Sequence, residues 1–397
     1  MSPVPTSQSI QNPTHVTILY NQDFDVSTSS TDIPNEPEDP FSSSDILQGE
    51  TARASVLSVA QHISDVLTNI CGLNTSLVPV QTLDDVKQCL KQQANSSSLI
   101  FNLCESLNKD ARFEARVASL LHASNIPYTG NHPRTLSLCL NKFRTTERLR
   151  KHDVTVPHSD LIRKLKQLPV YESFPRIVKP NREDGSTGIE SASVVYSQHE
   201  LEQQVKKILK ECNQAALVQE FIDGREISVS LLGHKQVKIL GIGEINFSKL
   251  HAHLPKIVTY ASKWVPGSPE YEGTVSEAAQ LTKTEQAQIE HTAKAVAKAM
   301  FLTGYSRIDI RLDNTGTPYV IDVNPNCDLD PEAGLAKTAA RNGMSYRQLI
   351  GEIIEAGIAA RVPSKRMGHF HNFLDLLLSL TEPNQLPNTN TSPIPAL

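Results

Sequence analysis

The pattern of apolar and polar positions changes period several times along this chain, and each change marks an element. "VTILY" (Val16–Tyr20) is an unbroken apolar run, the signature of a strand covered on both faces. The polar, Pro-rich residues 1–14 before it predict a disordered leader. The Ser/Pro/acidic stretch "STSSTDIPNEPEDPFSSSD" after it predicts an insertion in loop form. A helical period returns in "GETARASVLSVAQHISDVL", with Val56, Val59, Ala60, Ile63 and Leu67 on one face. "TSLVPV" and "SSLIFNL" then read as strands with the helix "LDDVKQCLKQQ" between them. Strands alternating with helices predict a parallel α/β lobe over residues 15–131.

A second region, 132–221, opens on the helical stretch "RTLSLCLNKFRTTERLRKH". It continues with the strand "RIVKP", the loop "NREDGSTG", a strand over "IESASVVY", a long polar helix and the strand "ALVQEFI". A third, 222–362, holds strands "REISVSLLG" and "KQVKILGIGEINF", a loop-rich stretch, the helix "EQAQIEHTAKAVAKAM" and a hairpin, "SRIDIRLDNTGTPYVIDVNPN". Ile289, Ala293, Val296 and Met300 give that helix one buried stripe, which is core rather than a cofactor surface. Residues 363–397 comprise an amphipathic piece, "HFHNFLDLLLSL", expected to dock on the body of the chain with a second subunit as the alternative, and a Pro/Asn/Thr tail expected to be disordered.

With 397 residues and 39% apolar composition, two or three packed lobes are expected. A net charge of −5 and the lack of Lys/Arg-rich runs argue against nucleic acid as a partner. Six cysteines stand singly, with no Cys-x-x-Cys, so neither a zinc ribbon nor a disulfide scaffold is indicated. The start of the chain lacks the basic and apolar segments of a signal peptide, and no run reaches the length of a membrane span. A cytoplasmic protein with no membrane partner is the expectation.

The hairpin carries the first chemistry. Alternation puts Arg307, Asp309 and Arg311 on one face of "RIDIRL", and Val320, Asp322 and Asn324 on one face of "YVIDVNPN". A turn of even length at "DNTG" would bring Asp309 and Asp322 to the same sheet face. Two carboxylates so close repel unless a cation sits between them. With Asn324 they offer three oxygen ligands, a set suited to Mg²⁺ completed by water and phosphate oxygens. Arg307 stands beside them as a fixed cation for an oxyanion or phosphoryl group. Taken alone, the hairpin is as easily a surface element with Arg–Asp pairs.

Three further segments fit a nucleotide site. The strand–loop–strand "RIVKPNREDGSTGIESASVVY" lacks the Gly-Lys-Ser/Thr and following helix of a Walker loop, yet a hairpin flap can cover phosphates with its N–H groups. Lys179 can supply a point charge there. In "LVQEFIDGREISVSLL" the strand end Glu220-Phe221-Ile222 can meet an adenine edge, and Glu226 can accept from ribose hydroxyls. "IVTYASKWVPGSPEYEG" places Lys263 and Trp264 in a Pro/Gly-rich loop without regular structure of its own, in the manner of a lid. Each has a plain alternative: an ordinary turn, a solvated Glu, a packed aromatic beside a solvated lysine. His251 and His253 in "HAHLPK" lack a third ligand and read as solvated.

These segments occur in the order and spacing of the ATP-grasp enzymes, and from about His15 to about Gly357 the chain resembles the D-alanine–D-alanine ligases. The likeness is carried by "FEARVASLLHASNIPYTGNHPRTLSLCLNKFRT", "IVKPNREDGSTGI", "LVQEFIDGREISVSLLG", "TYASKW", "GYSRIDIRLDNTGTPYVIDVNPN" and "AARNGMSYRQLI". It implies an α/β and α+β architecture, the ATP-grasp fold behind an N-terminal Rossmann-like pre-ATP-grasp lobe. It further implies that Lys142 and Lys179 hold ATP phosphates and that Glu183 to Gly188, with Gly185 and the functional Ser186, forms the phosphate-covering loop. Glu220, Phe221 and Ile222 become the adenine contacts and Glu226 the ribose ligand. Lys263 becomes the phosphate-contacting lysine of the substrate loop, Asp309, Asp322 and Asn324 the ligands of Mg²⁺ or Mn²⁺, and Arg307 the arginine that stabilises a tetrahedral intermediate. Substrates would be a small carboxylate and an amine, amino acids foremost, joined through an acyl phosphate. A homodimer is common among such relatives.

The likeness has limits. Asp328 stands where the ligases carry an oxyanion-hole glycine, Ala333 where a serine holds the acceptor carboxylate, and Trp264 in place of a tyrosine. "ILYNQDFDV" replaces the N-terminal Gly-Gly-x-Ser-x-Glu segment, with Glu50 as a substitute for its glutamate. The expectation is an ATP- and Mg²⁺-dependent carboxylate–amine ligase with a rewritten amino-acid half. The alternatives are a D-alanine–D-alanine ligase proper, an ATP-grasp kinase, or an ATP-binding regulatory protein without turnover. Asp328 and Asp330 suggest an acceptor carrying an extra cation; equally, both could cap the following helix.

Overall fold

The computed structural model describes residues 15–22, 56–70, 72–93 and 98–361. The expected leader, the insertion, Glu50 and the C-terminal amphipathic piece lie outside these residues. Three sheets organise the described residues. The first lobe has a parallel sheet ordered β2 (Asn74–Val80), β1 (His15–Asn21), β3 (Ser98–Leu103). The β1 run is covered on both faces, as its unbroken apolarity requires. Helix α1 (56–65) and α2 (Leu83–Gln93) precede β2 and β3, and α3 (Arg112–Ala123) follows the sheet.

Helices α4 (Pro133–Cys139) and α5 (Lys142–Arg150) lead into a four-stranded antiparallel sheet. Its order is β4 (Ser159–Ile162), β7 (Ala216–Glu220), β5 (Arg176–Pro180), β6 (Val194–Val195), with α6 (Gln198–Glu211) packed on it. The strand expected over Ile189–Tyr196 is reduced to Val194–Val195. Ser191–Ser193 instead winds into a 3₁₀ turn, because Ser193 Oγ accepts from the Glu190 N–H.

The third sheet has five antiparallel strands: β10 (Val275–Ala278), β9 (Val237–Asn246), β8 (Gly224–Gly233), β11 (Gly304–Asp313) and β12 (Pro318–Pro325). Helix α9 (Lys283–Met300) covers one face with the expected stripe. Thr282 caps it in a reciprocal pair with Glu285, and Phe301 ends it in the left-handed conformation at φ 57°. On the other side lie α10 (Gly334–Arg341) and α11 (Tyr346–Arg361).

The cores show how the lobes are joined. Val16, Ile18, Ile63 and Phe101 of the first lobe share one apolar cluster with Tyr305, Leu335, Leu349 and Ile358. The four-stranded sheet and α6 have a separate cluster of their own. Cys139, Leu149 and Val154 from the α4–α5 segment pack with α9 and the large sheet.

The stretch expected as an irregular lid contains two short helices, α7 (Tyr260–Trp264) and α8 (Pro269–Gly273). Thr259 and Ser268 cap them, and Pro269 occupies the first turn of α8, where its missing N–H costs nothing.

Candidate active site between the three lobes

A cleft of about 720 Å³ opens between the three lobes. Its floor is the β11–β12 hairpin. Arg307 pairs with Asn324 and Asp309 with Asp322, all on one face. The hairpin reaches this arrangement by a route other than the even turn. Leu312 pairs with Pro318 and Ile310 with Val320, so the loop is odd in length and would send Asp322 to the core side. A bulge at Ile321 inserts one unpaired residue and restores the carboxylates to one face. The same bulge moves Val320 off the face of Asp322: Val320 is buried in the core with Val323.

The cations are close-set. Arg307 grips Asp309 through Nε–Oδ1 at 2.7 Å and Nη2–Oδ2 at 2.9 Å. Asn324 Nδ2 donates to Asp309 Oδ2 at 2.9 Å. Burial pushes the Asp309 carboxyl up, but Arg307 outweighs it and holds the group below its usual range. Lys142 Nζ meets Asp322 Oδ2 at 2.6 Å and lies 3.8 Å from Asp184. Burial alone would lower the Lys142 pKa; the Asp322 and Asp184 charges overcome it and raise the value.

Lys142 is the first residue of α5. Its N–H donates to the Asn181 carbonyl, Asn181 Oδ1 accepts from Phe143 N–H, and Asn141 caps the helix through Arg144 N–H. Asn181 therefore ties the start of α5 to the end of β5, which carries Lys179. Lys179 is buried on the cleft wall with no ion-pair partner among the described residues, and burial brings its pKa down to about 8. Lys263, on α7, is likewise on the wall; burial and then the neighbouring Arg307 lower its pKa.

The loop after β5 is docked on the α7 segment. Ser186 Oγ donates to the Val258 carbonyl at 3.1 Å, Trp264 Nε1 to the Gly185 carbonyl at 3.1 Å, and Tyr260 N–H to the Ile189 carbonyl at 2.8 Å. Gly185 and Ser186 both adopt φ 63°. Glu183, Gly185 and Ser186 line the cleft; Gly188 does not, and packs instead on Pro180, where a Cβ would come within 2.7 Å of the ring.

At the far end, Glu220, Phe221, Ile222 and Glu226 line the cleft together. The Phe221 N–H is engaged by the Pro175 carbonyl and the Ile222 carbonyl by Arg311 Nε, which narrows the backbone edge open to a base. Glu226 is buried and accepts from Arg311 Nη1 at 3.0 Å.

Several residues in or behind the cleft wall had no role in the sequence reading. Asn141 and Asn181 organise the two lysines; an Asn ahead of a helical run was the available cap signal. Glu114, from the first lobe, lines the cleft, accepts from Asn326 Nδ2 at 3.0 Å and is pushed well up by burial. Nothing local in its helix marked it, because the lobe packing alone brings it there. Asp328 and Asp330 line the cleft and accept from the N–H groups of Asp330 and Glu332. The helix they precede begins after Ala333, which has no side-chain cap, so neither aspartate is its N-cap. His251 and His253 are exposed, and among the described residues no three His, Cys, Asp or Glu side chains gather as a metal site.

Residues 139–355 match the family described as D-ala D-ala ligase C-terminus. The chain belongs to that family. Its curated relatives match it along most of its length. It is 32% identical over 270 residues to the uncharacterized protein y4sG of Sinorhizobium fredii, spanning 66% of this chain and 75% of that one. It is 26% identical over 289 residues to D-alanine–D-alanine ligase A of Bacillus cereus, spanning 72% and 88%. Among solved structures, D-alanine–D-alanine ligase from Bacillus anthracis complexed with ATP superimposes with a TM-score of 0.63 at 20% identity, covering 88% of this chain and 98% of that one. The expected α/β and α+β ATP-grasp architecture is thus the fold of this family member.

Proposed function

We propose that the protein is an ATP- and Mg²⁺-dependent carboxylate–amine ligase that forms an amide or dipeptide and releases ADP and phosphate. The observation that carries this reading is the in-register Asp309–Asp322 pair on the cleft floor, surrounded by Arg307, Lys142, Lys179 and Lys263. So many cations facing two carboxylates fit a polyanion and a divalent ion better than any packing role. The family membership and the likeness to a ligase complexed with ATP support the same reading.

Two carboxylates and an amide are hard oxygen donors, and a set this small suits Mg²⁺, which retains water and phosphate oxygens. Asp309, Asp322 and Asn324 would hold the ion, which would neutralise phosphate charge when bound. Lys142 and Lys179 would position the phosphates from the α5 and β5 sides. Glu183, Gly185 and Ser186 would cover them, with the Trp264–Gly185 contact keeping water out. Gly188 would serve as the base of that loop. Glu220, Phe221 and Ile222 would receive the base and Glu226 the ribose.

The substrate carboxylate oxygen would bond to the γ-phosphorus as the bond to ADP breaks. The amine nitrogen would then attack the acyl carbon, lose a proton and expel phosphate. Arg307, fixed bidentately by Asp309, and Lys263 would stabilise the oxyanion in between. Positioning supplies most of the acceleration in such a scheme. Small amino acids are the substrate class, the protein acts in the cytoplasm as a homodimer, and neither nucleic acid nor membrane takes part. The functional units follow the regions 15–131, 132–221 and 222–362.

ADP release assayed with pooled amino acids and small amines tests the reading. Release that needs both a carboxylate and an amine is expected. Release with a single hydroxyl compound would make the protein a kinase, and ATP binding without release would make it a regulatory module.

A further inference from the structure

A recess of about 20 Å³ opens off the cleft where the first lobe meets the segment that follows β12. Glu105, Glu114 and Asp328 line both the recess and the cleft, so they stand where the two join. Apolar chains, Val59, Leu103 and Leu329 among them, form much of the rest of the recess wall.

Glu114 is the decisive residue. It is only 9% exposed. Its Oε1 accepts from Asn326 Nδ2 at 3.0 Å. Its Oε2 accepts from no group among the described residues, yet is not sealed inside the protein, so it opens on the recess. A buried carboxylate oxygen left without a donor is costly. Burial pushes the Glu114 carboxyl up, and the charges of Asp184 and Glu105 push the same way. Asp328 Oδ1 accepts from the Asp330 N–H and caps no helix.

Positive charge is what this corner lacks. Among the described residues no Lys, Arg or His lines the recess. Nor do three His, Cys, Asp or Glu side chains there gather tightly enough for a metal ion. The recess has room for about one water-sized group. A primary ammonium is of that size, and its three N–H donors with no acceptor match carboxylates. A carboxylate would be repelled. The apolar chains behind the acids keep the local dielectric low, which strengthens a charge pair. Elsewhere in the cleft, Lys142, Lys179, Lys263 and Arg307 answer the phosphates and the carboxylate substrate, so the acids of the recess are left for the amine.

We propose that Glu114 and Asp328 form an ammonium subsite for the acceptor, so that the amine substrate is an α,ω-diamine or a basic amino acid. One nitrogen forms the amide, and the second, protonated, rests against the two carboxylates. This rests on the ligase reading above and names the acceptor class for it. The second nitrogen makes and breaks no bond, so the two acids select the substrate rather than catalyse.

A competition between acceptors tests the assignment. An alkylamine, the α,ω-diamine and the ω-amino acid of the same chain length are offered in equal amounts to the whole chain with Mg²⁺–ATP and pooled amino acids. Amides counted by mass spectrometry give the ratios of kcat/KM. Diamine products should exceed alkylamine products by about tenfold or more, with those of the ω-amino acid fewest. Trimethylation of one diamine nitrogen should abolish the preference, since the enlarged head no longer fits. Glu114→Gln keeps an acceptor for Asn326 and removes the charge; it should bring diamine and alkylamine to within about threefold. Asp328→Asn should act in the same direction and stands in for Glu114→Gln should that variant fail to fold. Equal yields from diamine and alkylamine in the wild type, or an undiminished preference in either folded variant, overturn the subsite and leave the ligase reading intact. Dipeptides of neutral amino acids as the sole products do the same. No product of any kind overturns the ligase reading and this inference with it.

Discussion

Asp309 faces Asp322 across the hairpin because Ile321, between Val320 and Asp322, pairs with nothing. Had Ile321 taken a place in the ladder, the odd loop would have turned Asp322 toward Val229 and Val296 in the core. Placing two acidic groups together is therefore a property of the bulge as much as of the acids.

Replacing Asp322 with Asn removes the charge and keeps the volume. ADP formation is expected to fall by about 100-fold or more, since a charge directed at the reacting phosphates is lost. Far-ultraviolet circular dichroism should be unchanged. Full turnover in this variant would remove Asp322 from the proposed metal site.

The Lys179 ammonium supplies a pH signature. Its pKa in the free protein is held at about 8, and a neighbouring triphosphate favours the protonated form. ATP affinity contributed by this group is thus level below pH 8 and declines above it, by up to about tenfold per pH unit. The decline ends at the pKa of the bound state. Affinities measured on both sides of pH 8 should follow this curve, and Lys179→Met should flatten it. A wild-type profile that stays level into the alkaline range would contradict it.

Glu226→Ala should weaken ATP binding by about 1–3 kcal/mol, the cost of leaving hydroxyl partners unmet in a dry site. The loss should appear in KM rather than kcat, because the ribose is remote from the bonds that change. Equal affinities of the variant and wild type would dissociate Glu226 from the nucleotide.

Gly130 tests the junction of the first and third lobes. It adopts φ 96°, and a Cβ there would approach Asn326 Oδ1 to 2.7 Å. That oxygen also accepts from Asn131 N–H at 2.7 Å. Gly130→Ala should destabilise the protein by about 1–3 kcal/mol through strain and the displaced amide. Thermal melting would register it, and an unchanged midpoint would show that the junction yields freely.

Much of this was legible in the residues. The buried run at Val16–Tyr20, the alternation of strands and helices, and the stripe on Lys283–Met300 follow from periodicity, because burial itself imposes the period. The hairpin acids announced a site because carboxylates are uncommon within paired strands, although it is the bulge that sets Asp322 beside Asp309. What escaped depends on geometry that no local pattern encodes. A bulge changes register without changing composition, so Val320 was given to the wrong face. Ser193 competed with the sheet for the Glu190 N–H and shortened an apparent strand. Arg311 looked like one more polar position of a hairpin, and only the fold reveals that Ile222, Glu226 and Lys256 surround it.

The division of the apolar clusters has a mechanical consequence. The first and third lobes share a core, whereas the four-stranded sheet has its own. Across the mouth of the cleft the latter meets the α7 segment through Ser186 on Val258, Trp264 on Gly185 and Tyr260 on Ile189, and through a small apolar cluster of Ile177, Val194 and Ile257. The molecule is built as an anvil with a single jaw, and the joint between them, small and partly polar, is where an opening of the cleft would cost least.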